Sequence, residues 1–243
     1  MSKVQVHRVS DYLHDEKTIR KIAGDFAALN KKVWSNITDD FYIWDAEKVL
    51  EQFRNYPYGS FFSSKDGKIV STLTVMKMNA NNYLQGPDKS WESITGNGTL
   101  NTHDPQGDSA YGVDLTGGSG NTTKMVKAVI LIGLLGEGVR SVFLSSRIPL
   151  YHKYDNMDVD DYVIAKRKSG KPLDPELAYY KNLGFKVVDV IPDYMNDPKS
   201  LNYGVIIKYD NPFYWLTKAI PFIKYAMSAL GTRFLLSRQP VYQ

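Results

Sequence analysis

Residues 110–115, AYGVDL, run through TGGSGN into a stretch whose apolar residues, Met125, Val126, Val129, Ile130, Ile132 and Leu135, recur at helical spacing. Gly136 and Gly138 close that helix, and VRSVFLSS resumes as a strand. A strand that crosses through a helix to a further strand of the same sheet lies parallel to it, with the helix on one face. The pattern returns at residues 174–183, a helix with Pro175 in its first turn and Gly184 just past its end, standing between VRSVFLSS and a strand at 185–191. Two such units require a sheet carrying helices on its faces.

The remaining elements fit around them. Residues 4–9 alternate with period two and predict a first strand. Residues 15–34 place Ile19, Ile22, Ala23, Phe26, Leu29 and Val33 at helical spacing. A second helix is expected over residues 46–53, with Asp45 placed to cap it. Residues 61–64 and 68–78 flank KDGK, whose Asp66-Gly67 pair is a hairpin signal. Residues 79–108 are polar and rich in Gly, Asn and Asp; they predict an extended loop with at most a short edge strand, and a loop of that length is commonly functional. A short helix is expected at 158–168, and residues 203–209 close the sheet by pairing with 185–191. The expectation is one α/β (α+β mixed) domain over residues 1–211. Its central sheet is mixed, mostly antiparallel and twisted, and is flanked by helices, with a helical appendage over residues 212–243.

Composition narrows the function. In 243 residues, 43% are apolar, enough for a real core, and a net charge of +4 is too mild to argue for nucleic acid. From Asn211 onward the charged residues are Lys218, Lys224, Arg233 and Arg238, with no acid among them. Cysteine is absent, which excludes disulfides, thiolate nucleophiles and Cys-ligated zinc and fits a reducing, cytoplasmic setting. His7, His14, His103 and His152 show no metal-ligand spacing, so no metal is expected. The N-terminal MSKVQVHRVS has no apolar core of a secretory signal. Residues 213–236 form the longest stretch suited to membrane contact, but Pro221, Lys224 and Arg233 interrupt it, which suits peripheral contact better than spanning.

The loop TGGSGN is free of bulk. Gly117, Gly118 and Gly120 admit positive φ and close approach of a ligand, and the helix that follows offers unpaired N–H groups and the positive end of its dipole to an anion. It is not a Walker loop, because Thr123 precedes Lys124 and Met125 follows. It is not a dinucleotide fingerprint either, because Thr123 stands where the last glycine belongs. Local sequence alone fits a tight turn and an anion cradle equally.

Residues 176–194, ELAYYKNLGFKVVDVIPDY, contain YKNLGF at 180–185. This resembles the later part of the GNAT acyltransferase superfamily, in which a helix ending in Tyr-x-x-x-Gly-Phe runs into a strand. It follows strand, glycine loop, helix and strand in that superfamily's order, so the resemblance covers roughly residues 3–210. SWESITGNGTLNTHDPQGDSAYGVDL, residues 90–115, and SRIPLYHKYDNMDVDDYV, residues 146–163, are similar to the GNAT-type domain found alone or fused to carbon-nitrogen hydrolases; no hydrolase domain fits in this chain. The resemblance implies an N-acyltransferase that moves an acyl group from acetyl-CoA or a longer acyl-CoA to an amine of a small molecule or peptide. It places Val113 to Leu115 along the donor's pantetheine arm. The loop Gly117, Gly118, Ser119, Gly120, Asn121, Thr122 and Thr123 would cradle the pyrophosphate. Leu115 stands where the superfamily loop carries Arg or Gln, which leaves backbone donors and removes a side-chain contact.

Acyl transfer to an amine needs a neutral amine, a polarised carbonyl and a proton for the leaving thiolate. Tyr180 matches the superfamily's tyrosine general acid; alternatively its ring packs on the sheet as that of Tyr179 would. For the base, the candidates are Asp114, if burial raises its pKa, and His103 of the THDP segment, with a water relay as the third choice. Glu92, Asp104 and Asp108 would suit a cationic acceptor, Arg147 and Lys153 an anionic one, and Asp158 to Asp161 a solvated helix start. The basic tail has three readings: a helix packed on the domain, an anchor on anionic lipid, or a dock for an acidic acyl carrier protein. A carrier-protein donor with a longer chain, or a non-catalytic acyl-CoA-binding module, are the alternatives to the acyl-CoA enzyme.

Overall fold

A computed structural model describes residues 4–37, 42–220, 222, 225–226, 229–230, 233, 235–237 and 240–242. Pro221, Lys224 and Arg238 lie outside the described residues, and of Ser119, Gly120, Asn121 and Leu135 only the backbone is described.

Seven strands form one sheet: β1 (Gln5–Arg8), β2 (Ser60–Lys65), β3 (Lys68–Met78), β4 (Ser109–Gly117), β5 (Ser141–Arg147), β6 (Lys186–Ile191) and β7 (Gly204–Asp210). Their spatial order is β1-β2-β3-β4-β5-β7-β6, and every neighbouring pair is antiparallel except β4 and β5, which run parallel. The single parallel pair is the one joined through the glycine loop and helix, as a crossover demands.

The helices are α1 (Glu16–Trp34), α2 (Ala46–Asn55), α3 (Ala80–Gln85), α4 (Trp91–Thr95), α5 (Ser119–Leu131), α6 (Val159–Ile164), α7 (Pro175–Asn182) and α8 (Tyr214–Ala219). Local chemistry sets most of their starts: the side chains of Asp15, Asp45, Asn79, Ser90, Asp158 and Asp174 each accept a backbone N–H from the first turn of α1, α2, α3, α4, α6 and α7. Asp158 thus caps α6, the helix-start role expected of the DVDD run. Asp66 and Gly67 both have positive φ, 51° and 71°, which closes the β2–β3 hairpin.

Residues 79–108 depart from the loop expected of them. They hold α3 and α4 and no strand. Their Asn- and Gly-rich composition hides two short helices whose caps are local but whose anchors are tertiary: Tyr83 and Trp91 are buried in the main core.

One core packs α1 and α2, through Ile22, Phe26, Val49 and Phe53, against Phe62, Met76 and Tyr111 of the sheet. Met125, Val126 and Val129 of α5 cover the other face against Phe61 and Leu73, and Leu177 of α7 joins Val142, Val205 and Ile207. The chain after β7 is tied down at both ends. The Asn211 amide donates to the carbonyls of Leu134 and Val139, at 2.9 and 2.7 Å. Further on, Leu236 and Val241 are buried, the Ser237 N–H donates to Val6 O on edge strand β1, and Lys21 lies 3.2 Å over the Tyr242 ring. That return covers part of an otherwise open sheet edge.

Candidate functional site at the divergence of two parallel strands

Strands β4 and β5 pair only from Ala110↔Val142 to Gly112↔Leu144. Both continue, β4 to Gly117 along β3 and β5 to Arg147 along β7, so the sheet opens between them. The opening starts at a bulge: opposite Thr74 and Val75 the β4 register jumps from Asp114 to Gly112, which leaves Val113 as the extra residue. The Trp91 indole N–H donates to the Val113 carbonyl at 2.9 Å, satisfying a group that the bulge takes out of the ladder.

At the far end of β4, Gly117 has φ 135°, and a Cβ there would stand 2.5 Å from Ser71 Cβ and 2.8 Å from Val70 O. Glycine is required at 117 by the neighbouring strand. Gly118 differs: a Cβ there would meet nothing within 4 Å. It caps α5 with no side-chain acceptor, whereas α1 to α4, α6 and α7 all have one. The start of α5 thus carries the positive end of the helix dipole with no side-chain cap from Gly118. No acid lies in that first turn, and Lys124 reaches back to Val4 O at 3.0 Å. A helix start with no acid in its first turn and no side-chain cap is the kind of group that can bind an anion. Leu115, in the position of the superfamily's Arg or Gln, packs instead against the apolar cluster under α5.

Next to the bulge, on the side of the loop, stands Asp114, partly buried. Thr116 Oγ1 donates to its Oδ1 at 2.8 Å and Thr72 Oγ1 to its Oδ2 at 3.4 Å, and the Trp34 indole N–H in turn donates to Thr116 Oγ1 at 2.7 Å. Burial pushes the carboxyl up to about 7, against the hydrogen bonds from Thr116, Thr72 and Trp34, which hold it down. A carboxylate so placed can take a proton near neutral pH, which an ordinary aspartate cannot.

Tyr180 approaches from α7. Its ring packs edge-on against Phe185 and Tyr179, with centroids at 5.8 and 5.2 Å, and its hydroxyl makes no hydrogen bond among the described residues. The side chain therefore packs as a core ring and also presents a spare phenol. Burial raises its pKa well above 10, and Glu176, Tyr179 and Asp114 add to the rise. Asp114 and Tyr180 thus share one electrostatic neighbourhood. His103 does not join them. It stacks on Tyr56 at 3.8 Å, and its Nδ1 accepts the backbone N–H of Lys77, which pairs with Ala110 at the opposite end of β4. Burial and Lys77 lower its pKa.

The polar residues weighed for an acceptor are largely engaged. Arg147, at the end of β5, donates from Nε to Asp197 at 2.7 Å, sits 3.6 Å from Glu176 and lies 5.5 Å from the Trp34 ring centroid. Asp108 holds Ala80 N–H, Asp104 holds Gln106 N–H, and Glu92 meets the Tyr42 hydroxyl. Glu176 was not singled out from sequence. Its side chain keeps 36% of its exposure, and desolvation pushes its pKa up to about 7, opposed by Arg147 and reinforced by Asp174 and Asp197. One signal was available: it stands four residues before Tyr180 on the same helix face. Trp34 carried none, lying 82 residues from Thr116. Among the described residues no three His, Asp or Glu side chains converge to hold a metal ion, and no helix is long and apolar enough to cross a membrane.

Among solved structures, the loading GNATL domain of CurA from Lyngbya majuscula superposes with a TM-score of 0.67 over 86% of this chain and 98% of that one, at 19% identity. The GphF GNAT-like decarboxylase in complex with isobutyryl-CoA gives 0.65 over the same shares, also at 19% identity. This chain has the GNAT acyltransferase fold. Within that fold, the β4–β5 divergence, the bulge at Val113 and the glycine loop before α5 come from one continuous stretch of sequence. No known protein-family profile matches the chain. It is 26% identical over 177 residues to Bacillus subtilis (strain 168) YkwB, named an uncharacterized N-acetyltransferase, covering 71% of this chain and 77% of that protein. It is 24% identical over 186 residues to the probable hydrolase YhcX of the same organism, and there it spans only 34% of the relative's length.

Proposed function

We propose that the protein is an acyl-CoA-dependent N-acyltransferase, and one observation supports the reading most: β4, which carries the partly buried Asp114, parts from β5 after Gly112↔Leu144 and leads through Gly117 and Gly118 directly into α5, whose start has no side-chain cap. The acyl-CoA thioester supplies the activated carbonyl. The backbone N–H groups of residues 119–121 and the space at Gly118 bind its pyrophosphate, and the unpaired edge of β4 from Val113 to Leu115 aligns its pantetheine arm. The isobutyryl-CoA bound by GphF and the N-acetyltransferase name of YkwB support an acyl-CoA donor.

Asp114 accepts a proton from the acceptor ammonium, leaving the neutral amine to attack the thioester carbonyl. The C–N bond forms and the C–S bond breaks. The Tyr180 phenol, held neutral by its raised pKa, donates to the departing sulfur and recovers its proton from the attacking nitrogen. The balance is one amide, one free thiol and one proton, which Asp114 releases to water. Glu176 and Asp114 make this end of the cleft favourable to a cationic acceptor, whereas Arg147 is already neutralised by Asp197. His103, tied to Lys77 N–H, contributes to the shape of the neighbouring loop.

Calorimetry with CoA, acetyl-CoA and isobutyryl-CoA, followed by thiol release in the presence of polyamine and peptide amines, tests the reading. The expected result is acyl-CoA binding and a Tyr180→Phe variant that binds the donor normally but turns over about 10 to 1,000 times more slowly. Absence of binding by all three, or full turnover in the Phe variant, would overturn it.

A further inference from the structure

Half of the large apolar side chains that stand exposed among the described residues fall between Phe213 and Leu230. Trp215, Phe222 and Tyr225 are 75%, 77% and 73% exposed, and Phe213, Ile220 and Leu230 are each close to half exposed. The same segment carries the buried Thr217, whose hydroxyl donates to Tyr214 O at 2.9 Å, so α8 has one face turned to the protein and another turned outward. The segment is bracketed by anchors: Asn211 is bonded to the end of the α5 region, and Leu236 and Val241 are buried. So many exposed large apolar side chains within one short segment are unusual on a protein surface.

The charge of the segment specifies what meets it. Residues 212–243 contain Lys218, Lys224, Arg233 and Arg238 and no aspartate or glutamate. The Lys218 ammonium lies 5.8 Å from the Tyr214 ring centroid and 5.5 Å from that of Trp215, an arrangement in which cation and aromatic rings occupy one outward surface. Aromatic side chains that protrude, with a cation at their base, match the boundary between lipid headgroups and acyl chains. An acidic protein partner would satisfy the cations but leave three protruding aromatics needing pockets of its own, and the apolar weight of the segment exceeds its charge. We infer that the described residues between Phe213 and Leu230 belong to an interfacial anchor that lays this domain on an anionic bilayer surface, with Trp215, Phe222 and Tyr225 inserted and Lys218 at the headgroups. The anchor is independent of the acyltransfer reading.

Co-sedimentation of the full chain with vesicles of phosphatidylcholine alone, and of equimolar phosphatidylcholine and phosphatidylglycerol, tests the inference. The wild-type chain is expected to pellet with the mixed vesicles, at least about tenfold more strongly than with the neutral ones, and Lys218→Glu to lose roughly tenfold of that binding. The triple substitution Trp215→Ser, Phe222→Ser and Tyr225→Ser is expected to abolish it, a drop of at least about a hundredfold, while far-UV circular dichroism and thermal unfolding stay those of the wild type, because all three side chains already stand in water. Failure of the wild type to pellet with either vesicle overturns the inference. So does unchanged vesicle binding by the triple variant. A wild-type dimer in solution that the triple variant dissolves, with vesicle binding absent, assigns the surface to a second copy and overturns it equally. Binding to an acidic acyl carrier protein that the triple variant abolishes, with vesicles ignored, does the same.

Discussion

Replacing Asp114 with Asn should stabilise the protein, and only above a definite pH. An aspartate ionises near 3.8 in an unfolded chain, and the folded environment pushes this one up to about 7. The folded state therefore holds its proton over a range where the unfolded state has lost it. The contribution of this carboxyl to wild-type stability is full below about pH 4, declines as the pH rises toward 7 and stays low above it. The gap between 3.8 and about 7 corresponds to about 4 kcal/mol, and because the side chain is only partly buried, solvent screening should bring the measured effect to roughly 2 kcal/mol. Asparagine keeps the acceptor for Thr116 and offers an amide to Thr72, so the local hydrogen bonds survive while the charge does not. Urea unfolding of wild type and Asp114→Asn between pH 4 and 9 measures the difference directly. Glu176, which is raised in the same sense, is common to both proteins and cancels. The two curves should coincide near pH 4 and separate in favour of the variant by pH 8. A variant that is equally or less stable at pH 8, or a difference that ignores pH, would refute the claim that burial of this carboxylate costs stability to make a base.

The same substitution should lower kcat/KM by about 100-fold or more and remove the acid limb of the pH profile, whose midpoint in the wild type should lie near 7; a rate assay across pH 5.5 to 9 checks both. Gly117→Ala should cost about 1–3 kcal/mol in thermal unfolding, since it forces a side chain into φ 135° against Ser71, whereas Gly118→Ala should leave stability within about 0.5 kcal/mol and raise the acyl-CoA KM. Trp91→Phe keeps an aromatic ring but removes the indole donor to Val113 O and part of a buried side chain. It should destabilise by about 1–3 kcal/mol, read by chemical denaturation, and should loosen acyl-CoA binding because the bulge it secures borders the cleft.

Features set within a few residues of themselves were legible in the chain. The Asp66-Gly67 turn, the cap at Asp45, the strand-loop-helix-strand order and the helix ending in YKNLGF all follow from backbone preferences and hydrophobic period, and together they bring out the mixed sheet. α3 and α4 escaped because their polar composition resembles a loop: Asn79 and Ser90 cap them locally, and the burial of Tyr83 and Trp91 anchors them. Other properties belong to distances in space that no local pattern records. Asp114 is an ordinary aspartate in sequence; it becomes a base because the surrounding core withdraws water from it, an effect that outweighs the hydrogen bonds of Thr116, Thr72 and Trp34. His103 looks as eligible in sequence, and the fold turns it toward Tyr56 and Lys77. Gly117 and Gly118 read alike as neighbours; β3 presses on one and nothing stands over the other. The sequence by itself determined the strands, the longer helices and their order, because hydrogen bonding and periodicity act along the chain. Only the tertiary structure decided which groups are desolvated together, because burial is a property of whatever the rest of the chain packs around them.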